Sequence, residues 1–427
     1  MTDTLPLSLR ADVPLVPAGL PATRYVLLSF SAPEGRRDRS RPPIRVSFVL
    51  DRSGSMAGGK IRLARDAVRQ ALRMLRSDDR FALVAYDDEV ELVAHAAPAT
   101  GAARRGAVER LEAIEARGST DLSGGWMTGC DQVLPHPADE SPGRCLLLTD
   151  GLANVGVTDP DQLAARAAEL RKRNVMTSTF GVGTDFDEVL LQRIAEQGGG
   201  HFYFVESPAQ IPDLLTSELG EALEVVARDA SVALQLPAGV KAAPLSRLEW
   251  FATDTGIRVV LGDLVSGQEL DVVLRVEMPS MAAGNSVSVR FTLGDREGVL
   301  ALPPVEVSWT AAEAGVVAAA GRDRAVDRAV AALYAARARH EALALNKAGD
   351  FGRAKALLLA VAARIDAYAA EDDALRATAA QLRGEAEEFG EEMDARSQKA
   401  RHMASWAAMS NRAPDGKAKR RVPRRPA

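Results

Sequence analysis

Five oxygen-bearing side chains stand at the ends of successive segments, and together they have the chemistry of a hard-cation site. The first three lie in Asp51-Arg52-Ser53-Gly54-Ser55, directly after the apolar run Ile44 to Leu50. A carboxylate and two hydroxyls on a glycine-containing turn present oxygen ligands from a tightly bent backbone. Mg2+ takes such oxygens in octahedral geometry at about 2.0–2.1 Å and commonly keeps several waters. Two further donors stand at the ends of later segments: Thr120 in Gly118-Ser119-Thr120-Asp121-Leu122, and Asp150 after Leu146-Leu147-Leu148-Thr149. An Asp-x-Ser-x-Ser turn alone says little, because Asp and Ser are ordinary turn residues. Three separate segments that each offer oxygens say much more.

The elements that must carry these residues alternate between strand and helix. Ile44 to Leu50 is followed by Lys60 to Arg76, with Ile61, Ala64, Val68, Leu72 and Leu75 at helical spacing. Phe81 to Tyr86 is a second strand and Arg104 to Ala116 a helix, with a short helix after Thr120. Cys145 to Thr149 is apolar throughout, as a parallel strand covered on both faces should be. Asp159-Pro160 opens a helix that runs to Arg173, and Val175 to Val182 is the next strand. A helix from about Asp187 to Gln197 then leads to the strand His201 to Val205. This alternation predicts a doubly wound parallel-sheet α/β domain over residues 41–227, whose crevice lies at the carboxyl ends of its strands.

The period then changes. Val232, Leu234 and Leu236, then Val287, Val289 and Phe291, then Val305, Val307 and Trp309 alternate with polar or small residues. That pattern predicts an antiparallel β-sandwich over 228–310. Residues 1–40 hold similar runs, Leu5 to Leu9 and Tyr25 to Phe30, read as strands that join the same sandwich and make the α/β domain an insertion. An alanine-rich helical segment is expected over 311–411, with a turn at Asn346-Lys347-Ala348-Gly349-Asp350 and one long helix from Asp373 to Ser410. The fold class is therefore multidomain, α/β plus β plus α.

Asp51, Ser53, Ser55, Thr120 and Asp150 match in order and spacing the three-loop metal-ion-dependent adhesion site of von Willebrand factor A-type (VWA) domains, which the chain resembles. Asp150-Gly151 with Asn154 to Pro160, Phe180-Gly181-Val182-Gly183, and Gly200-His201-Phe202-Tyr203-Phe204 are similar to bacterial VWA proteins in which a β-sandwich follows the A domain. Inter-alpha-trypsin inhibitor heavy chains share that plan more distantly. The resemblance implies that the serines and threonine bind the ion directly, the aspartates directly or through water, and a partner's Asp or Glu completes the shell. Mg2+ is the ion expected, with Mn2+ or Ca2+ as alternatives. It further implies a non-enzymatic protein-binding module, with MoxR-type AAA+ ATPase systems as candidate partners. A structural scaffold with a stabilising metal is the second reading, and metal-assisted hydrolysis the third, since no general base stands evidently beside the motif.

Other residues carry blander expectations. The chain has 427 residues, 47% hydrophobic, 26% charged and 5% aromatic, with a net charge of −5. That is a globular composition, poor in the stacking residues that single-stranded nucleic acid binding uses, so nucleic acid is not an expected partner. Residues 412–427 set seven bases against Asp415 and read as a basic disordered tail. No signal peptide or membrane span is visible in the sequence, and the cytoplasm is the expected location. Cys130 and Cys145 are expected to be small buried hydrophobes. His201 reads as packing or capping, and Asp87-Asp88-Glu89 as a solvated loop. Lys60 lacks the Gly-x4-Gly-Lys frame of a phosphate loop, and Ser53 lacks the Gly-x-Ser-x-Gly frame of a hydrolase nucleophile. Arg52 either lowers the charge at the motif or points to solvent.

Overall fold

The computed structural model describes residues 7–35, 42–134, 142–300 and 302–420. Its chain opens with three strands, β1 (Leu7–Ala11), β2 (Leu15–Pro17) and β3 (Ala22–Ser31). The α/β unit follows as β4 (Arg45–Asp51), α1 (Gly59–Met74), β5 (Arg80–Tyr86), β6 (Val90–Pro98), α2 (Gly101–Glu112), α3 (Leu122–Gln132), β7 (Gly143–Thr149), α4 (Pro160–Lys172), β8 (Val175–Val182), α5 (Glu188–Gln197), β9 (Gly199–Val205) and α6 (Ile211–Leu223). Its sheet has the order β6-β5-β4-β7-β8-β9, parallel except for the edge strand β6, which runs antiparallel to β5. Strand β6 follows β5 by a tight turn and was not among the expected strands.

The central strands are apolar on both faces because helices cover both. Val46, Phe48 and Leu50 of β4 pack with Ile61, Val68 and Leu72 of α1. Val49, on the opposite face, packs with Trp126 and Cys130 of α3. Cys130 and Cys145 are free and buried, as small hydrophobes are. Gly125 and Gly129 let α3 lie close to the sheet, since a Cβ at either would overlap Tyr86 or Val49.

Next come β10 (Val225–Gln235), β11 (Lys241–Pro244), β12 (Trp250–Thr253), β13 (Gly256–Val265), β14 (Glu269–Met278), β15 (Ser286–Gly294) and β16 (Val305–Ala312). They form two sheets, β1-β3-β14-β11 and β12-β13-β10-β15-β16-β2, around one apolar core. Strand β3 pairs with β14 along its whole length, from Ala22↔Met278 to Ser31↔Glu269. The leading strands thus belong to this sandwich. Strand β10 starts at Val225, two residues after α6 ends, so one unit runs into the next without a linker.

The helical part comprises α7 (Ala314–Ala319), α8 (Arg324–Lys347), α9 (Phe351–Ala369), α10 (Asp373–Phe389) and α11 (Ala395–Met409). The long helix expected from Asp373 to Ser410 is two helices. Gly390 ends the first, its N–H bonding back to Ala386, and the Asp394 side chain caps the second by accepting from Ser397 N–H. Val326, Val330 and Leu333 of α8 pack on Leu27 and Val273, on the outer face of the sandwich. Helix α11 docks on the α/β unit instead, and Met403, Trp406 and Ala407 complete the core beneath α5 and β9. It is part of that core, not an appendage to it. Among the described residues, no helix is long and apolar enough to cross a membrane.

Residues 412–420 contradict the expectation of a disordered tail. They run as a strap over α6 and β9 to the sandwich, where the Glu269 N–H bonds to the Lys419 carbonyl. Arg412 is buried and paired, while Lys417 and Arg420 bond to Asp213 and Glu224. Opposite charge on α6, invisible as a pattern in the tail itself, is the physical reason. Residues 421–427 lie outside the described residues.

Candidate functional site

The five expected site residues sit on three loops that leave the carboxyl ends of β4 and β7 and precede α3. Asp51 is the last residue of β4, fully buried, and its Oδ1 accepts from Ser53 N–H at 2.7 Å. This short Asx turn folds the backbone back so that both serines face the crevice. Ser53 Oγ and Ser55 Oγ lie 3.1 Å apart, and Ser55 Oγ donates to Asp150 Oδ1 at 2.6 Å. Thr120 reaches the same place from the loop before α3. A Cβ on Gly151 would sit 3.4 Å from Thr120 Oγ1 and 3.7 Å from Ser55 Oγ, so both hydroxyls border that glycine. The structure brings all five together.

Backbone hydrogen bonds lock the loops to each other. Gly54 N–H donates to Gly118 O at 3.1 Å and Arg117 N–H to Arg52 O at 2.7 Å, which joins the first loop to the second. Asn154 Oδ1 accepts from Thr120 N–H at 2.9 Å, and the N–H groups of Asn154 and Val155 both donate to Thr120 O at 3.2 Å, which joins the second to the third. Asp121, next to Thr120, caps α3 through Gly124 N–H at 2.9 Å.

Charge at the site is incompletely balanced. Asp51 and Asp150 are both fully buried. Burial pushes the Asp51 carboxyl up to about 6, and the bonds from Ser53 and Thr149 offset only part of that. Thr149 Oγ1 donates to Asp51 Oδ2 at 2.6 Å. The Tyr86 hydroxyl is buried as well, and burial together with the Asp51 charge holds it well above the usual phenol range. Among the described residues one ammonium group reaches the cluster, that of Lys60 on α1, which pairs with Asp150 Oδ2. Two buried carboxylates and three hydroxyls, all hard oxygens and short of positive charge, fit a divalent cation of the Mg2+ class.

Four parts of this site escaped the residue-level expectations. Lys60 is one. Thr149 is another, read as the end of an apolar run when its hydroxyl orients Asp51. Asn154 is the third, holding the loops in register. The fourth is a charged brace behind the first loop: Arg52 is buried and donates to Asp87 Oδ2 at 3.0 Å and to Glu91, while Arg117 donates to the same Asp87 oxygen at 2.7 Å. Arg52 therefore turns away from the motif. Asp87 is buried, not solvated as a loop acid would be. His201 belongs to a buried network with Glu218, Tyr203 and Arg412, apart from this site.

Comparison with known proteins agrees with this architecture. Residues 46–217 match the family model of the von Willebrand factor type A domain. Over 291 residues the chain is 26% identical to the Escherichia coli (strain K12) protein YfbK, covering 65% of this chain and 49% of that one. It thus spans about half the length of that relative. Inter-alpha-trypsin inhibitor heavy chain H1 of Mesocricetus auratus is 28% identical over 177 residues, 40% of this chain and 19% of the other. Among solved structures, one described as von Willebrand factor type A from Catenulispora acidiphila superposes with a TM-score of 0.68, covering 99% of both chains at 19% identity. At that identity the likeness is one of fold, and it extends over the sandwich and helices as well as the α/β unit.

Proposed function

We propose, from the premise that residues 46–217 form a von Willebrand factor type A domain, that this chain is a non-enzymatic binding module in which Asp51, Ser53, Ser55, Thr120 and Asp150 hold a divalent ion that a partner protein engages through an Asp or Glu. VWA domains mediate protein–protein interactions, commonly through such a metal site, and Mg2+ is the ion this oxygen set suits best. The observation that carries the reading is the meeting of two buried carboxylates with three hydroxyls from three loops. When bound, the ion supplies an electrophilic coordination position at the mouth of the crevice. The chain's own part is to fix the donors. The Asx turn aims the serines, Thr149 orients Asp51, and Asn154 holds Thr120 against the third loop.

The same interlocking argues against a purely structural metal. Five backbone and side-chain bonds already join the loops to one another. Pre-organisation of this kind leaves binding energy available for a partner. Leu152, beside Gly151, is 56% exposed and offers an apolar contact next to the docking point. The resemblance to bacterial VWA proteins makes a MoxR-type AAA+ ATPase system a candidate source of the partner.

Calorimetric titration of Mg2+ into the wild type and Asp51→Asn, paired with affinity capture from cells in Mg2+ or EDTA, tests the reading. Mg2+ binding and at least one captured protein should be lost together in Asp51→Asn and in EDTA. Wild-type protein that takes up no divalent ion, or a captured set indifferent to EDTA, would overturn it.

A further inference from the structure

The first turn of α1 is an unusual place for an ammonium group that touches this site. A helix N-terminus carries partial positive charge and favours acids, so a lysine there works against the helix dipole. Yet Lys60, the second residue of α1, is only one quarter exposed and pairs with Asp150 Oδ2. Its ammonium also lies beside Gly183 at the end of β8, 3.8 Å from where a Cβ would stand. Among the described residues it is the basic side chain in contact with the five. The other two cations nearby, Arg52 and Arg117, are committed to Asp87, Glu89 and Glu91.

We propose that Lys60 sets the charge of the metal-bearing site, weakening its hold on the divalent ion and strengthening its attraction for the partner's carboxylate. This rests on the metal-bridge reading given above. Asp51 and Asp150 carry two negative charges, which a divalent ion cancels. The ammonium group then leaves the loaded site with one positive charge, and an incoming carboxylate neutralises it. Without Lys60 the loaded site would be neutral and the docked complex negative. The ammonium therefore opposes the cation and favours the anion, by the same Coulomb term with opposite sign. Lys60 is a positioning and charge-setting residue that acts through Asp150, with which it is paired.

Opposite signs make the test specific. Mg2+ is titrated calorimetrically into wild type, Lys60→Gln and Lys60→Arg. Acetate is then titrated into each Mg2+-loaded protein and followed by the methyl resonances of Leu152. Lys60→Gln should bind Mg2+ about tenfold more tightly and acetate about tenfold more weakly, and Lys60→Arg should restore both towards wild type. A structural role alone would weaken both. Unchanged affinities in Lys60→Gln, or shifts of the same sign, overturn the proposal. Asp51→Asn is run alongside: if it keeps full Mg2+ affinity, the metal-bridge reading itself has failed, whatever Lys60→Gln does.

Discussion

Arg412 Nη2 lies 2.5 Å from Glu221 Oε2, and these two charged side chains, far apart in the chain, are each about one-twentieth exposed. Around them the pairing continues. Arg412 Nη1 lies 2.8 Å from His201 Nε2, and Glu218 accepts from Tyr203 at 2.6 Å and from Ser178 at 2.5 Å. An arginine can only donate, so His201 accepts at Nε2 and its Nδ1–H donates to Glu218. Burial would raise the Glu218 carboxyl, but His201, the Arg412 charge and the Ser178 hydroxyl hold it well below the usual range. The final segment is thereby stitched into the α/β unit by charge.

Removing that guanidinium leaves Glu218 and Glu221 buried without their cation. Arg412→Met should cost about 3–5 kcal/mol, read as a lower denaturation midpoint. Arg412→Lys should recover only part of it, because an ammonium cannot span His201 and Glu221 at once. Equal stability of Arg412→Met and wild type would show the strap to be incidental.

Acid should loosen the α11 interface. Burial lowers His402 to about 4, with the nearby His340 adding to the effect. A histidine held neutral in the fold contributes its full stability above about 6.5, and that contribution is lost as pH falls towards 4, because the unfolded chain takes up the proton first. Between pH 7 and 5 this amounts to about 2 kcal/mol. Denaturation at the two pH values should show a smaller acid loss in His402→Gln than in wild type. Equal losses would remove His402 from the account. Glu188, which burial would raise but Lys347 and Lys399 bring down to about 2, keeps its part of the interface until far lower pH.

Helix α3 tolerates no extra carbon on its sheet-facing side. Gly125→Ala should destabilise by about 1–3 kcal/mol, because its Cβ would enter the Tyr86 ring. Gly129→Ala, facing Val49, should behave alike. Since Thr120 directly precedes this helix, both variants should also bind Mg2+ more weakly. A melting temperature within a degree of wild type would show that α3 can shift freely.

The brace behind the first loop should be asymmetric. Arg52→Met removes a buried cation from the buried Asp87 carboxylate, whereas Arg117→Met removes a half-exposed one. Melting should fall by a few degrees in the first and less in the second. The reverse order would mean that Arg117 is the true anchor.

How far the sequence was legible follows from where each signal lives. The metal-site candidates could be read because Asp51 to Ser55 and Asp150 stand at the ends of apolar runs, and the order and spacing that add Thr120 match the VWA metal motif. Lys60 could not, since a lysine in a helix reads as solvent-facing until Asp150 is beside it. Arg52 and Asp87 failed for the same reason: a charged residue looks solvated until its partner, on another strand end, is known. The break at Gly390 to Asp394 was in principle readable, a glycine stop followed by an aspartate cap. The docking of α11 and Arg412 was not, because each depends on contacts with residues about two hundred positions earlier.

The pairing of β3 with β14 also fixes a timetable. Ser29 and Asp271, hydrogen-bonded in neighbouring strands, are separated by 242 positions. On the ribosome, β1 and β3 emerge before the α/β unit and wait on the order of 10–50 s for β14, at elongation rates of about 5–20 residues per second. The whole α/β unit is synthesised in that interval and can close its sheet meanwhile. Its finished body then holds Ser31 and Val225 at the same end, so the late strands are delivered to a hairpin already waiting. An apolar hairpin left open that long is an invitation to chaperones, and nascent chains stalled between Leu223 and Glu269 are where that traffic should be heaviest.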